Sequence, residues 1–362
     1  MDERRPDRPT RGRGALGNPA GRYEVFDRQA VDDGWFLDGD DLPPLRTEIT
    51  PEASRTVITR NTSPDVPFER SINAYRGCEH GCVYCFARPS HASAGLSPGL
   101  DFETRIFAKD DAPAVLEREL RRPGYVAKTI MLGANTDPYQ PAERTRRITR
   151  GILEVLAAYR HPLAIATKSA LVVRDLDILA PMAADGLASV GVSVTTLDAD
   201  LARKMEPRAA APAKRLATIR ALAGAGIPTT VLVAPMIPHL NDHEMERILA
   251  EAARAGASAA NYILLRLPLE LKELFTDWLG AHYPDRATRV LNQLREARDG
   301  NLYVADFSTR MKGTGVYAEL LARRFRVACR HLGLEASGTS DRALATHLFR
   351  PPPRAGDQLA LL

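Results

Sequence analysis

From about residue 70 onward, short apolar runs alternate with longer amphipathic stretches. KTIMLG (128–133), LAIATK (163–168), ASVGVSV (188–194), TTVLVAP (229–235) and NYILLRL (261–267) are almost continuously hydrophobic. Runs of this length without alternation predict strands of a parallel sheet buried on both faces. The stretches between them have helical periodicity. In 143–160, Ile148, Ile152, Val155 and Leu156 fall on one face. In 241–257, Asn241 and Glu244 stand at capping-box spacing and Gly256 closes the helix. The stretch 211–228 ends on Gly226 before Pro228.

With a first strand at SINAY (71–75), the alternation predicts six β/α units between about 70 and 270. The fold expected is α/β, a partial (β/α)6 TIM-like barrel, with a doubly wound sheet as the alternative. Residues 1–65, rich in Pro, Arg, Asp and Gly, read as a flexible extension able to pack partly on the barrel. Residues 66–270 read as the core barrel, and 271–362 as a mainly helical segment with one further strand at LYVADF (302–307).

Composition narrows this picture only a little. Of the 362 residues, 44% are hydrophobic and 26% charged, ordinary for a globular protein. No apolar run approaches the ~18 residues that would suggest a membrane span. The charged start, MDERRPDRPTRGRG, lacks the apolar region of a signal peptide, so a cytoplasmic location is expected. A net charge of +4 permits nucleic-acid binding without requiring it. Two segments are locally basic. One is the N-terminal arm. The other is 310–330, where Arg310, Lys312, Arg323, Arg324, Arg326 and Arg330 face a single acid, Glu319.

The chemistry gathers in NAYRGCEHGCVYCFARPSH (73–91). It holds Cys78, Cys82 and Cys85 at C-x3-C-x2-C spacing, three of the four cysteines in the chain. Three clustered cysteines cannot pair among themselves, and a disulfide does not suit a cytosolic chain. A structural zinc site needs a fourth ligand, for which His91 is the local candidate and His80 a cramped one. A ferredoxin-type cluster needs a fourth cysteine at motif spacing. Cys329 is remote and sits in a helical apolar pattern that marks it as core. A 4Fe-4S cube on three thiolates leaves one iron open to an amine and a carboxylate from an external ligand.

With Tyr84 directly before the last cysteine, this spacing resembles the radical SAM superfamily. GRGALGNPAGRYE (12–24), YRGCEHGCVYCFARPSH (75–91), GLSPGLDFE (95–103), NTDPYQPAE (135–143) and VAPMIPHLND (233–242) resemble a bacterial subgroup of its spore-photoproduct-lyase-like branch. The resemblance implies that Cys78, Cys82 and Cys85 ligate the cluster and that S-adenosylmethionine binds at its open iron. It places Tyr84 against the adenine, Asn135 and Thr136 near the methionine amine, Lys168 at the carboxylate, Ser193 at the ribose and backbone of Ala234 at the adenine. It also implies reductive cleavage to a 5′-deoxyadenosyl radical that abstracts hydrogen from a substrate, with flavodoxin or ferredoxin as electron donor.

Independently of the resemblance, polar residues recur at successive strand ends, where parallel barrels carry their reactive groups: Asn135 to Asp137, Thr167 to Ser169, Ser193 to Thr196, and Arg266. The repair chemistry of the branch does not carry over. Its lyase uses an extra cysteine near the second strand and a tyrosine after the last cluster cysteine. This chain has no cysteine between Cys85 and Cys329, and has Phe86 where the tyrosine would be. Nucleic acid remains one candidate substrate, on the strength of Arg323, Arg326 and Arg330 sharing a helix face. Two non-catalytic readings stand beside the enzyme: a nucleic-acid-binding protein with a Cys3His zinc knuckle, and an iron–sulfur protein limited to electron transfer or sensing.

Overall fold

Six strands form where the apolar runs predict them: β1 Arg70–Ile72, β2 Ile130–Leu132, β3 Leu163–Thr167, β4 Ala188–Ser193, β5 Thr229–Met236 and β6 Ala259–Leu264. The computed structural model describes residues 10–24, 45–336 and 344–353. The six strands pair side by side in chain order, every neighbouring pair parallel. A doubly wound sheet would reverse its strand order partway; this one does not. Unidirectional winding with right-handed crossovers keeps the helices on one face. The partial barrel results, and β1 and β6 do not pair to close it. Short strands extend each edge, Thr59–Arg60 antiparallel to β1 and Glu335–Ala336 parallel to β6.

The labelled helices are α1 Ala112–Leu120, α2 Ile148–Ala158, α3 Leu176–Ala184, α4 Pro212–Gly224, α5 Met245–Arg254, α6 Leu271–His282, α7 Pro284–Glu296 and α8 Gly315–Leu332. On α2, Ile148, Ile152 and Leu156 are buried and Val155 partly so. Their removal from water stabilises each by about 1.5–3 kcal/mol. On α8 the buried positions are Ala318, Leu321, Phe325 and Cys329, a stripe at helical spacing. Phe325 meets Tyr262 of β6 with ring centroids 4.8 Å apart. Cys329 is therefore core, as its pattern predicts, while Arg323, Arg326 and Arg330 point to solvent.

Two expectations need correction. LYVADF forms no strand; its residues are loop that leads into a turn ahead of α8. Asn241 and Glu244 form no capping box, because both side chains reach back to the sheet. The Asn241 amide donates to the carbonyls of Thr195 (2.8 Å) and Pro235 (2.9 Å), and the Glu244 carboxylate accepts from the Thr196 hydroxyl. The N-terminal residues 10–24 and 45–65 pack on the rest of the chain, as an extension able to pack partly on the barrel would. Arg13 and Ala15 are buried, and Glu48–Pro51 joins Arg105–Ala108 and Tyr75–Arg76 in a second, three-stranded sheet. Residues 1–9 and 25–44 of that extension lie outside the described residues.

At the opposite rim the C-terminal segment crosses the start of β3. His161 is buried between Tyr125 and Phe349, its ring edge-on to Phe349 at 5.4 Å. Its Nδ1 donates to the Pro162 carbonyl (3.0 Å), so Nε2 accepts from the Tyr125 hydroxyl (2.8 Å) and the ring is neutral. Burial lowers its pKa to about 4. Because the folded value lies below the unfolded one, its stabilisation is complete above about pH 6.5 and is lost as pH falls toward 4. That loss is on the order of 3 kcal/mol. Urea titrations from pH 7 to 4 should therefore show a flatter stability profile for His161→Gln than for the wild type. Parallel profiles would mean that His161 does not carry the titration.

Candidate cofactor site at the strand ends

The cysteine loop comes after β1 and is shaped by two glycines in the left-handed region. Gly77 (φ 78°) would place a Cβ 2.9 Å from the Phe102 carbonyl oxygen, and Gly81 (φ 68°) would place one 2.7 Å from the Glu103 carboxylate. Arg88, fully buried, lies behind the loop. All five of its N–H donors are used: on the carbonyls of Cys82, Pro98, Gly99 and Gly81, and on Glu103 at 2.5 Å. Glu103 in turn accepts from the backbone N–H groups of Gly14 (3.0 Å) and Ala15 (2.8 Å). The N-terminal arm is thus a strap across the loop. Gly14 lies so close to Gly81 that a Cβ would fall 1.8 Å from its carbonyl oxygen.

The turn after β2 grips the loop from the other side. Asp137 faces His80 at 3.3 Å and accepts from the Thr167 hydroxyl and the Lys168 backbone N–H, both at 2.7 Å. Burial alone would raise its pKa, but His80 and these donors outweigh it and hold the group at about 2. Gln140 accepts from the Glu79 N–H and donates to the Gly77 carbonyl. A single carboxylate and a single amide therefore fix the cysteine loop against the ends of β2 and β3.

Cys78 and Cys82 are buried, and Cys85 partly so. Burial first, and the Asp137 carboxylate second, push the Cys78 thiol well up. Burial raises Cys82 too, opposed by the Lys168 ammonium. These groups stay thiols until a metal takes their protons. Among the described residues no three His, Cys, Asp or Glu side chains converge as a single metal ion requires. His91 faces away, its Nε2 hydrogen-bonded to the Arg105 carbonyl (3.0 Å) and its ring packed edge-on to Phe102. His80 is spent on Asp137. A Cys3His zinc knuckle does not fit this geometry. An all-thiol set of three carried on one loop fits an iron–sulfur cube held by three thiolates.

A family model described as the Radical SAM superfamily matches residues 72–252. The chain belongs to the radical SAM superfamily. An uncharacterised protein of Mycobacterium tuberculosis (strain ATCC 25618 / H37Rv) is 41% identical over 226 residues, 62% of this chain. The match spans 66% of that relative, just under two thirds of its length. An uncharacterised protein of Methanocaldococcus jannaschii is 27% identical over 61% of this chain and 79% of its own. Spore photoproduct lyase complexed with dinucleoside spore photoproduct matches in structure with a TM-score of 0.53 at 18% identity, over 80% of this chain and 81% of the lyase. A mutant of that lyase with bound AdoMet and the same dinucleoside gives 0.52. At such identity the likeness is one of fold.

The other residues expected at the site lie at or just beyond the strand ends and in the loops that meet them. Lys168 comes directly after β3, with its ammonium 5.8 Å from the centroid of the Tyr84 ring and no carboxylate partner among the described residues. The Tyr84 hydroxyl donates to Glu206, which also accepts from Thr195 (2.8 Å) and forms a buried ion pair with Arg215. Arg215 donates to the Ser193 carbonyl (3.2 Å), leaving the Ser193 hydroxyl without a hydrogen bond among the described residues. Thr195 also donates to the Ala234 carbonyl (3.2 Å). Asn135 is exposed, with its N–H held by Asn73 (2.9 Å). Thr136 is buried, and its hydroxyl donates to the Tyr75 carbonyl (2.9 Å).

Among the described residues no helix is long and apolar enough to cross a membrane. Sequence reasoning missed Asn73, Glu103, Gln140, Glu206 and Arg215. All are polar; Glu103, Gln140, Glu206 and Arg215 are buried and Asn73 partly so, which becomes visible only in three dimensions.

Gly133 brings β2 up to β3. At φ 90°, a Cβ there would lie 2.2 Å from the Ala166 carbonyl oxygen. Gly133→Ala should lower unfolding free energy by about 2–4 kcal/mol in urea titration. Gly224→Ala, with open space around its position, should cost nothing or gain up to about 1 kcal/mol. Equal stabilities for the two variants would contradict this close approach.

Proposed function

We propose that this chain is a radical SAM enzyme acting on a substrate presented at the open rim of the barrel. The observation that carries the reading is the meeting of three loop thiols with the Lys168 ammonium, which has no carboxylate partner among the described residues, beside the Tyr84 ring. When bound, a 4Fe-4S cluster would supply the electron that splits S-adenosylmethionine into methionine and the 5′-deoxyadenosyl radical, which takes hydrogen from the substrate.

The chain's own residues hold and orient. Cys78, Cys82 and Cys85 would ligate the cluster, and Lys168 would meet the cofactor carboxylate as a charge-assisted partner. The Ser193 hydroxyl would serve the ribose. Backbone at Ala234 and the ring of Tyr84 would bound the adenine, and the Asn135–Thr136 turn would meet the amine. The pair Glu206–Arg215 is a positioning device. It fixes the Tyr84 hydroxyl and the Ser193 carbonyl, so that both side chains stand where β4 ends. The chemistry calls for a one-electron donor such as flavodoxin or ferredoxin, and for a reducing compartment such as the cytoplasm.

The reaction of spore photoproduct lyase is not proposed for this chain. With no cysteine between Cys85 and Cys329, and with Cys329 in the α8 core stripe, no thiol near the second strand can return hydrogen. Phe86 has no hydroxyl to take part. The substrate class is therefore this chain's own, with nucleic acid among the candidates because Arg323, Arg326 and Arg330 line an exposed face.

Protein reconstituted anaerobically with iron and sulfide, then reduced, should form 5′-deoxyadenosine from S-adenosylmethionine, and Cys82→Ala should form none. Lys168→Ala should keep its iron and bind the cofactor about tenfold or more weakly, the loss of one charged hydrogen bond. A wild type that binds iron but neither binds nor cleaves the cofactor would overturn the reading.

A further inference from the structure

Arg266 emerges just beyond β6, on the same rim as the cysteine loop. Its guanidinium carbon lies 5.1 Å from the centroid of the Phe86 ring, and Phe86 stands directly after the last loop cysteine and is 45% exposed. The planar cation is thus laid against an aromatic face at the edge of the site.

The hydrogen bonding of Arg266 is poor for so demanding a group. One terminal nitrogen donates to the Met311 sulfur (3.0 Å), a weak acceptor, and the Tyr303 hydroxyl is a further neighbour. Its Nε is buried with no partner. Among the described residues no carboxylate pairs with it. The one acid nearby, Asp65, has both oxygens on Arg310, at 2.5 and 2.6 Å. Arg298 adds a further cation, buried and donating to the carbonyls of Arg310, Leu264 and Leu265. Arg266, Arg298 and Arg310 therefore share one carboxylate. Burial, and then the proximity of these arginines, lowers the pKa of Arg266 and Arg298 alike. A partly buried, undercompensated guanidinium lying over an aromatic ring at the rim is suited to receive a planar or tetrahedral oxyanion at its terminal N–H groups.

We infer that Arg266 is the oxyanion-binding residue of the substrate site, taking a phosphate or carboxylate group of the substrate beside Phe86 while the rest lies over the cysteine loop. This deepens the proposed function and rests on it for the word substrate. The anion site itself is independent of turnover. Arg310 and Arg298 are braces that supply field without contact, since their donors are spent on Asp65 and on backbone.

The test uses the full chain with its cluster reconstituted, titrated by calorimetry and thermal unfolding with inorganic phosphate, acetate and a 5′-phosphorylated dinucleotide. Sodium chloride at matched ionic strength is the reference. At least one of the three should bind saturably and raise the unfolding temperature above chloride. Arg266→Gln should weaken that binding about tenfold or more, and Arg266→Lys, which keeps the charge but lacks the fork, should recover only part of it.

Preference for phosphate, acetate or the dinucleotide would assign the group as a phosphomonoester, a carboxylate or a phosphodiester. No saturable binding of any of the three, or an Arg266→Gln or Arg266→Lys variant that binds like the wild type, would overturn the inference. Because no turnover enters the measurement, that failure would leave 5′-deoxyadenosine formation untouched. Absence of nucleoside with anion binding intact would sink the proposed function instead.

Discussion

The ion pair between Arg88 and Glu103 is the contact on which the site depends. Both side chains are fully buried, which is costly for charges unless every donor and acceptor is met. Here the accounting closes. Arg88 spends five N–H groups on four carbonyls and one carboxylate, and Glu103 accepts in addition from two N–H groups of the N-terminal arm. Two of those carbonyls belong to Gly81 and Cys82. The shape of the cysteine loop is thus fixed from behind by an interaction that no thiol takes part in, and is ready before any cluster arrives.

A second layer of buried polar residues turns the strand ends into a single rim. Asp137 joins the loop to β2 and β3, Glu206 joins Tyr84 to β4 through Thr195 and Arg215, and Asn241 joins β4 to β5. Each is a satisfied polar group in a dry setting, which favours one arrangement over many. Not every cation follows this pattern: Arg298 and Lys312 are met by carbonyl and amide oxygens and by no carboxylate among the described residues. Lys168 and Arg266 lack carboxylate partners among the described residues, and both face the rim. Their place at the rim, rather than the lack of a carboxylate alone, marks them as candidates for ligand contact.

The alternation of apolar runs and amphipathic stretches was enough to read six strands, because buried parallel strands write their burial into hydrophobicity alone. The partial barrel expected from six successive units is the fold found, and the strand order is what sets it apart from the doubly wound alternative. The capping box at Asn241 failed for an instructive reason: the tertiary demand of two strand-end carbonyls outbid a local helix cap. LYVADF has the composition of a strand but meets no free sheet edge, because Glu335–Ala336 occupies the one beside β6. The strap at Gly14 and Ala15 was hidden in a segment whose Arg, Gly and Pro content reads as loose. Its order comes from Glu103, some ninety residues away.

The central claim is that the three thiols hold a cube with one iron left for S-adenosylmethionine. Mössbauer spectroscopy of the iron-57 reconstituted protein, with and without S-adenosylmethionine, tests it directly. The account predicts that the cofactor changes the signal of about one quarter of the cluster iron, the site without a thiolate. An unchanged spectrum, or a change shared equally by all the irons, would contradict it.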